Sequence, residues 1–114
     1  MRYLSIYRPE AGVEGGDPSP EHMAAMMRLI EDWTAKGALI STEPLTPRDR
    51  CARVRLDGNG QFSVAEETVR AGGFAFLNAD SKEEAVELCN TFLKVAGPGT
   101  CELRQILEFA PHPA

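Results

Sequence analysis

The 114-residue sequence has no apolar run of the length needed to cross a bilayer, and its N-terminus has no basic region followed by an apolar one. A membrane span and a targeting segment are therefore not expected, and cytoplasm is the expected location. Cysteine is scarce: Cys51, Cys89 and Cys101 are odd in number and show no Cys-x-x-Cys spacing. Reduced thiols suit that pattern better than a disulfide framework. Only two histidines occur, His22 and His112, and no metal-ligand spacing is present, so neither a metal nor a cofactor is expected. Basic charge is also in deficit. The net charge of −5 argues against nucleic acid or an anionic membrane surface as a general partner. The stretch Gly12-Val13-Glu14-Gly15-Gly16 lacks the lysine of a phosphate loop, and Glu10, Glu14 and Asp17 would repel phosphate. No repeat of solenoid period is visible.

What remains is the composition of an ordinary globular protein, 43% apolar and 25% charged. The length suits one domain, residues 1–109, followed by a disordered tail, residues 110–114. Its clearest signal is a helix between Ser19 and Gly37. Ser19 is a good N-cap, Pro20 suits the first helical position, and Gly37 can close the helix in the left-handed conformation. Met23, Met26, Met27, Ile30 and Trp33 fall at helical spacing and predict one apolar, core-filling stripe. A second helix opens at the capping box Ser81-Lys82-Glu83-Glu84 and turns Ala85, Leu88, Cys89, Phe92 and Leu93 to one side.

Strands are predicted over Met1–Tyr7, Ala38–Glu43, Cys51–Leu56, Gln61–Ala65, Gly73–Leu77 and Thr100–Phe109. Asp57-Gly58-Asn59-Gly60 joins the third and fourth as a hairpin. Glu66 to Ala71 reads as a polar linker, and Arg8 to Pro18 as a long connection of the kind that forms lids or binding loops. The order is β-α-β, an inserted hairpin, then β-α-β. Right-handed crossovers place both helices on one face of a mostly antiparallel sheet, an α+β, ferredoxin-like protomer. Tyr3, Tyr7, Ile106 and part of the Phe74–Leu77 run are expected on the other, uncovered face. An open apolar face predicts a homodimer packed sheet to sheet, a dimeric α/β barrel.

Met1-Arg2-Tyr3-Leu4-Ser5-Ile6-Tyr7-Arg8-Pro9, Pro20-Glu21-His22-Met23-Ala24-Ala25-Met26 and Gly72-Gly73-Phe74-Ala75-Phe76-Leu77 resemble the YCII-related family, especially its DGPF-domain branch. Ser81-Lys82-Glu83-Glu84-Ala85 and Cys101-Glu102-Leu103-Arg104-Gln105 extend the resemblance over nearly the whole chain. It implies ferredoxin-like protomers assembled as dimeric α/β barrels. Most members of the branch have no established function. Some relatives are associated with a His–Asp pair, and one is a dehydrochlorinase acting on a chlorinated hydroxyquinol. The interval between the hairpin and Gly72-Gly73 is too short for the DGPF motif. Glu66, Glu67 and Thr68 read as its remnant, the Asp-Gly-Pro-Phe itself is absent, and no role of that aspartate transfers here.

The candidate catalytic residue is His22, in the first turn of the first helix, where an imidazole could act as general acid or base. Histidine at this point recurs in the family that the chain resembles. Candidate substrate-binding residues are Arg8, as an anchor for a carboxylate or enolate, Tyr7 as pocket lining, and Glu43 and Glu66, which with Glu67 are the carboxylates that could orient the imidazole. Cys51, with Arg48, Arg50 and Arg53 near in sequence, has the electropositive setting of a reactive thiol but no identifiable base. Two functions follow. One is a small cofactor-independent enzyme using His22 on a small cyclic or carbonyl compound, with the Arg8–Pro18 loop closing over the site. The other is a non-catalytic metabolite-binding or regulatory module.

Overall fold

A computed structural model describes residues 1–10, 19–45, 52–65 and 72–108. The elements are β1 (Arg2–Pro9), α1 (Pro20–Lys36), β2 (Leu39–Pro44), β3 (Arg53–Leu56), β4 (Phe62–Ala65), β5 (Gly73–Asn78), α2 (Lys82–Ala96) and β6 (Gly99–Gln105). No described helix is long and apolar enough to cross a membrane. The predicted glycine-rich loop, the linker after β4, Cys51 and the C-terminal tail lie outside the described residues.

Both helices begin and end where their caps dictate. Ser19 Oγ accepts the backbone N–H of His22 at 3.1 Å, and Pro20 follows in the first turn. At the other end Gly37 takes φ +78°, and its N–H reaches the Trp33 and Thr34 carbonyls. In α2, Ser81 Oγ accepts from Glu84 N at 3.1 Å, while the Glu84 carboxylate reaches back to the N–H of Asp80 at 3.3 Å. This is a capping box displaced by one residue, with the returning bond landing just before the cap.

Four strands form one sheet in the order β2-β5-β1-β6, and every neighbouring pair is antiparallel. The result is a mixed α+β fold with two helices and a mostly antiparallel sheet. Register decides which side chains meet. Tyr3 lies opposite Leu77 and Gln105, Ser5 opposite Ala75 and Leu103, and Tyr7 opposite Gly73 and Cys101. Tyr3, Leu39 and Leu77 form one buried cluster with Trp33 of α1 and Ala85 and Cys89 of α2, so both helices cover the same face. Leu77, 2% exposed, is the largest fully buried side chain, worth about 2–3 kcal/mol of burial.

The expected placement of Tyr3 and Tyr7 on the uncovered face is thus corrected. Tyr3 is 3% exposed inside the core, and Tyr7 packs its ring edge-on against Phe92 of α2 at 5.2 Å. The reason is volume. The helix-facing positions around them are Ser5, Gly73, Ala75, Ala85 and Cys89, all small, and the two tyrosine rings fill the space these leave. The opposite face carries Leu4, Ile6, Phe74 and Phe76, with the last two in edge-to-face contact at 5.7 Å.

A second correction concerns α1. Of its apolar stripe only Trp33 is buried, whereas Met23 and Met27 are 54% and 55% exposed. The helix is held to the sheet at its C-terminal end, where Trp33 enters the core and Ala38 N donates to the Trp33 carbonyl at 2.9 Å. Toward its N-terminus Met26 and Met27 border a cavity instead of filling a core.

β3 and β4 pair only with each other, in a two-stranded sheet of their own. Their turn is tightly closed: Asp57 Oδ1 accepts from Asn59 N at 2.8 Å and from Gln61 N at 2.9 Å, and Gly60 takes φ +82°. Every residue of both strands is exposed.

Candidate functional site

A cavity of about 580 Å³ lies between α1, α2 and the sheet, within the size range of small-molecule sites. Its walls are mainly apolar, with Met26, Met27, Ile30 and Trp33 on the α1 side and Leu88 and Phe92 on the α2 side. A few polar groups break this lining: Ser5, Tyr7, His22, Thr42, Glu43 and Cys89. That mixture orients a ligand through a few hydrogen bonds while burying most of its surface.

Three of the candidate residues meet here. His22 is placed by the cap itself, since the N–H that Ser19 accepts is its own. Its half-buried imidazole has no hydrogen-bond partner among the described residues. Glu43 reaches the cavity from the exposed end of β2. Tyr7 is positioned by β1, with its hydroxyl donating at 3.3 Å toward the carbonyls of Gly97 and Pro98. Burial pushes the Tyr7 phenol up from its ordinary pKa, with smaller contributions from Cys101 and Glu10. Its ring needs close backbone approach. A Cβ on Gly99 would stand 2.7 Å from Tyr7 Cε1, and one on Gly72 would stand 3.0 Å from Cδ2.

Arg8 is not part of this group. Arg8 Nη1 donates to Glu102 Oε1 at 3.3 Å, and strand alternation puts Arg8 with Leu4 and Ile6 on the sheet face away from the helices. Glu102 also accepts from Arg104 Nε at 3.0 Å, and the two arginines, Arg104 foremost, hold its carboxyl below the usual range. Glu66 lies outside the described residues.

Sequence reasoning passed over Ser5, Thr42 and the Cys89–Cys101 pair. Ser5 is a buried polar residue whose Oγ stands 3.6 Å from Cys89 Sγ. Cys89 and Cys101 neighbour each other closely enough to titrate as a pair. The Cys101 S–H, and then the Ser5 hydroxyl, stabilise a Cys89 thiolate and draw that thiol down to about 6, against the opposing effect of burial. The remaining proton is held on Cys101, whose own thiol is raised. Thr42 Oγ1 donates to the Phe74 carbonyl at 2.9 Å, tying edge strand β2 to β5 beside the cavity. The sequence held no signal for Ser5, because only the register of β1 with β5 puts it on the face toward the helices.

The site can therefore enclose a small, mostly apolar molecule and offer it an unengaged imidazole, a carboxylate and a thiol. No family model and no curated protein matches the sequence.

Proposed function

We propose that this chain binds a small cyclic compound bearing a carbonyl or hydroxyl group in the cavity between its helices and sheet, as a dimeric module of the YCII-related type. The observation that carries the reading is the His22 imidazole at the wall of a mainly apolar cavity, where no described residue bonds it and it is free to bond a ligand. The strand order β2-β5-β1-β6, with antiparallel neighbours throughout, supports a ferredoxin-like protomer. The apolar row of Leu4, Ile6, Phe74 and Phe76 supports a homodimer formed through the open sheet face, a dimeric α/β barrel.

Catalysis is the second reading, with His22 moving a proton as general acid or base. It is favoured by the imidazole having no internal bond to break before it acts. It is opposed by the lack of an orienting carboxylate bonded to that imidazole among the described residues. Arg8, engaged by Glu102, is better suited to bracing the sheet than to holding substrate charge.

The test is calorimetric titration with a panel of phenols, hydroquinols and cyclic ketones against wild type, His22→Ala and Met27→Trp. Saturable binding to wild type is expected, lost in Met27→Trp, which crowds the cavity from an exposed position. His22→Ala should weaken hydroxylated members about tenfold, the value of one hydrogen bond. A panel that never binds, or that binds Met27→Trp as well as wild type, refutes the proposal. Turnover lost in His22→Ala with binding retained selects the enzyme.

A further inference from the structure

Among the described residues the β3–β4 hairpin pairs with no other strand, and every residue of both its strands is exposed, so it stands as an arm. Val54 pairs with Val64 and Leu56 with Phe62, so all four side chains share one face of the ladder. They are 67%, 71%, 58% and 75% exposed respectively. The other face holds Arg53, Arg55, Ser63 and Ala65. An isolated two-stranded hairpin is marginal in water, because it has no second layer on which to bury its apolar side. Yet the turn is closed by four bonds at Asp57: two accepted by its carboxylate, one from Gly60 N at 3.2 Å to its carbonyl, and one from its own N–H to the Gln61 carbonyl at 2.9 Å. A well-formed turn presenting a fully apolar face calls for a cover.

We infer that the apolar face of this arm, Val54, Leu56, Phe62 and Val64, docks on the body of a second copy of this chain. Area is the first argument. The four residues present roughly 450 Å², given the 150–250 Å² that a large side chain can bury. Docking covers a similar area of the surface beneath. Two symmetry-related arms would then bury roughly 1,800 Å² in all, within the range of stable dimers. Charge is the second argument. Residues 46–71 carry five arginines against four acidic groups, a net +1 within a chain of −5, so the rest of the chain carries −6. A basic arm is attracted to the acidic body of another copy.

The inference rests on the self-association proposed above, but not on which sheet face makes it. The experiment is analytical ultracentrifugation of wild type, Phe62→Asp, Phe62→Leu and Phe76→Asp, each checked by circular dichroism. Phe62 is exposed in the single copy, so its replacement leaves the body folded. Wild type at micromolar concentration should sediment at twice 12.5 kDa. Phe62→Asp should weaken the dimer at least a hundredfold, with Phe62→Leu close to wild type. A dimeric wild type with Phe62→Asp unchanged overturns the arm contact; if Phe76→Asp alone dissociates it, the sheet-face dimer stands without the arm. A monomeric wild type overturns both readings, and leaves the arm to another protein or to its own chain.

Discussion

Replacing Gly99 by alanine tests the seating of Tyr7, on which one end of the cavity depends. The added Cβ would lie 2.6 Å from the Arg8 carbonyl oxygen, 2.7 Å from Tyr7 Cε1 and 3.0 Å from Pro9 Cα. Favourable carbon contacts lie near 3.5–4.0 Å, so the overlap approaches 1 Å in two directions. Two of the three neighbours are backbone of β1, which is locked by its ladders to both β5 and β6 and cannot retreat cheaply. Overpacking of this kind costs about 1–3 kcal/mol. Alanine also restricts the unfolded chain, which returns about 0.4–1 kcal/mol where the native backbone suits it. The clash wins, for a net loss of about 1–2 kcal/mol. Urea unfolding should show the midpoint lowered by roughly 0.5–1 M at unchanged slope, and the melting temperature should fall by roughly 4–10 °C. Gly58→Ala is the control, because its Cβ would meet nothing within 4 Å and its φ is not positive. That variant should match wild type or exceed it slightly. A Gly99→Ala protein as stable as the Gly58→Ala control would refute the close packing of β6 on Tyr7.

Two further outcomes follow from local geometry. Ser81→Ala removes the acceptor of the Glu84 N–H and should destabilise the protein by about 1 kcal/mol, with Ser81→Asp restoring most of it; equal melting temperatures for Ser81→Ala and wild type would remove the cap from the account of α2. Alkylation of Cys89 by iodoacetamide, followed by mass spectrometry of its peptide, should rise with pH around a midpoint of about 6, because the thiolate is the reactive form and its pKa is lowered. Cys101→Ala should return the midpoint toward the ordinary thiol value of about 8.5, and a native profile already centred there would show that the pair does not share its proton.

The elements were legible in the sequence because their ends carry local chemistry. Ser19, Pro20 and Gly37 bracket α1, Ser81 opens α2, and Asp57 to Gly60 closes the hairpin, all through contacts within a few residues. Facing was harder to read. In β1 both alternating sets are apolar enough to be buried, so Tyr3 and Tyr7 could not be told from Leu4 and Ile6 until register with Gly73, Ala75 and Leu77 was known. The methionine stripe of α1 has the spacing of a core face, but spacing does not report how far a helix stands from its sheet. The cavity was the least legible feature. It draws on residues from Ser5 to Ala96 across five elements, and only tertiary packing brings His22, Glu43 and Tyr7 into one lining. Glu43 was a candidate for its charge, and its arrival there depends on the β2–β5 register and the irregularity between Leu39 and Ser41.

Trp33 is the only tryptophan in the chain, and it forms part of the cavity wall as well as the core. The protein therefore carries a built-in optical probe at the place where a ligand would sit. Displacement of water from that wall by an organic ring would shift or quench indole emission without any label. Phe62 and its neighbours contain no indole, so the arm itself adds nothing to that signal. With a single indole, the emission spectrum reports that wall of the cavity and no other part of the chain.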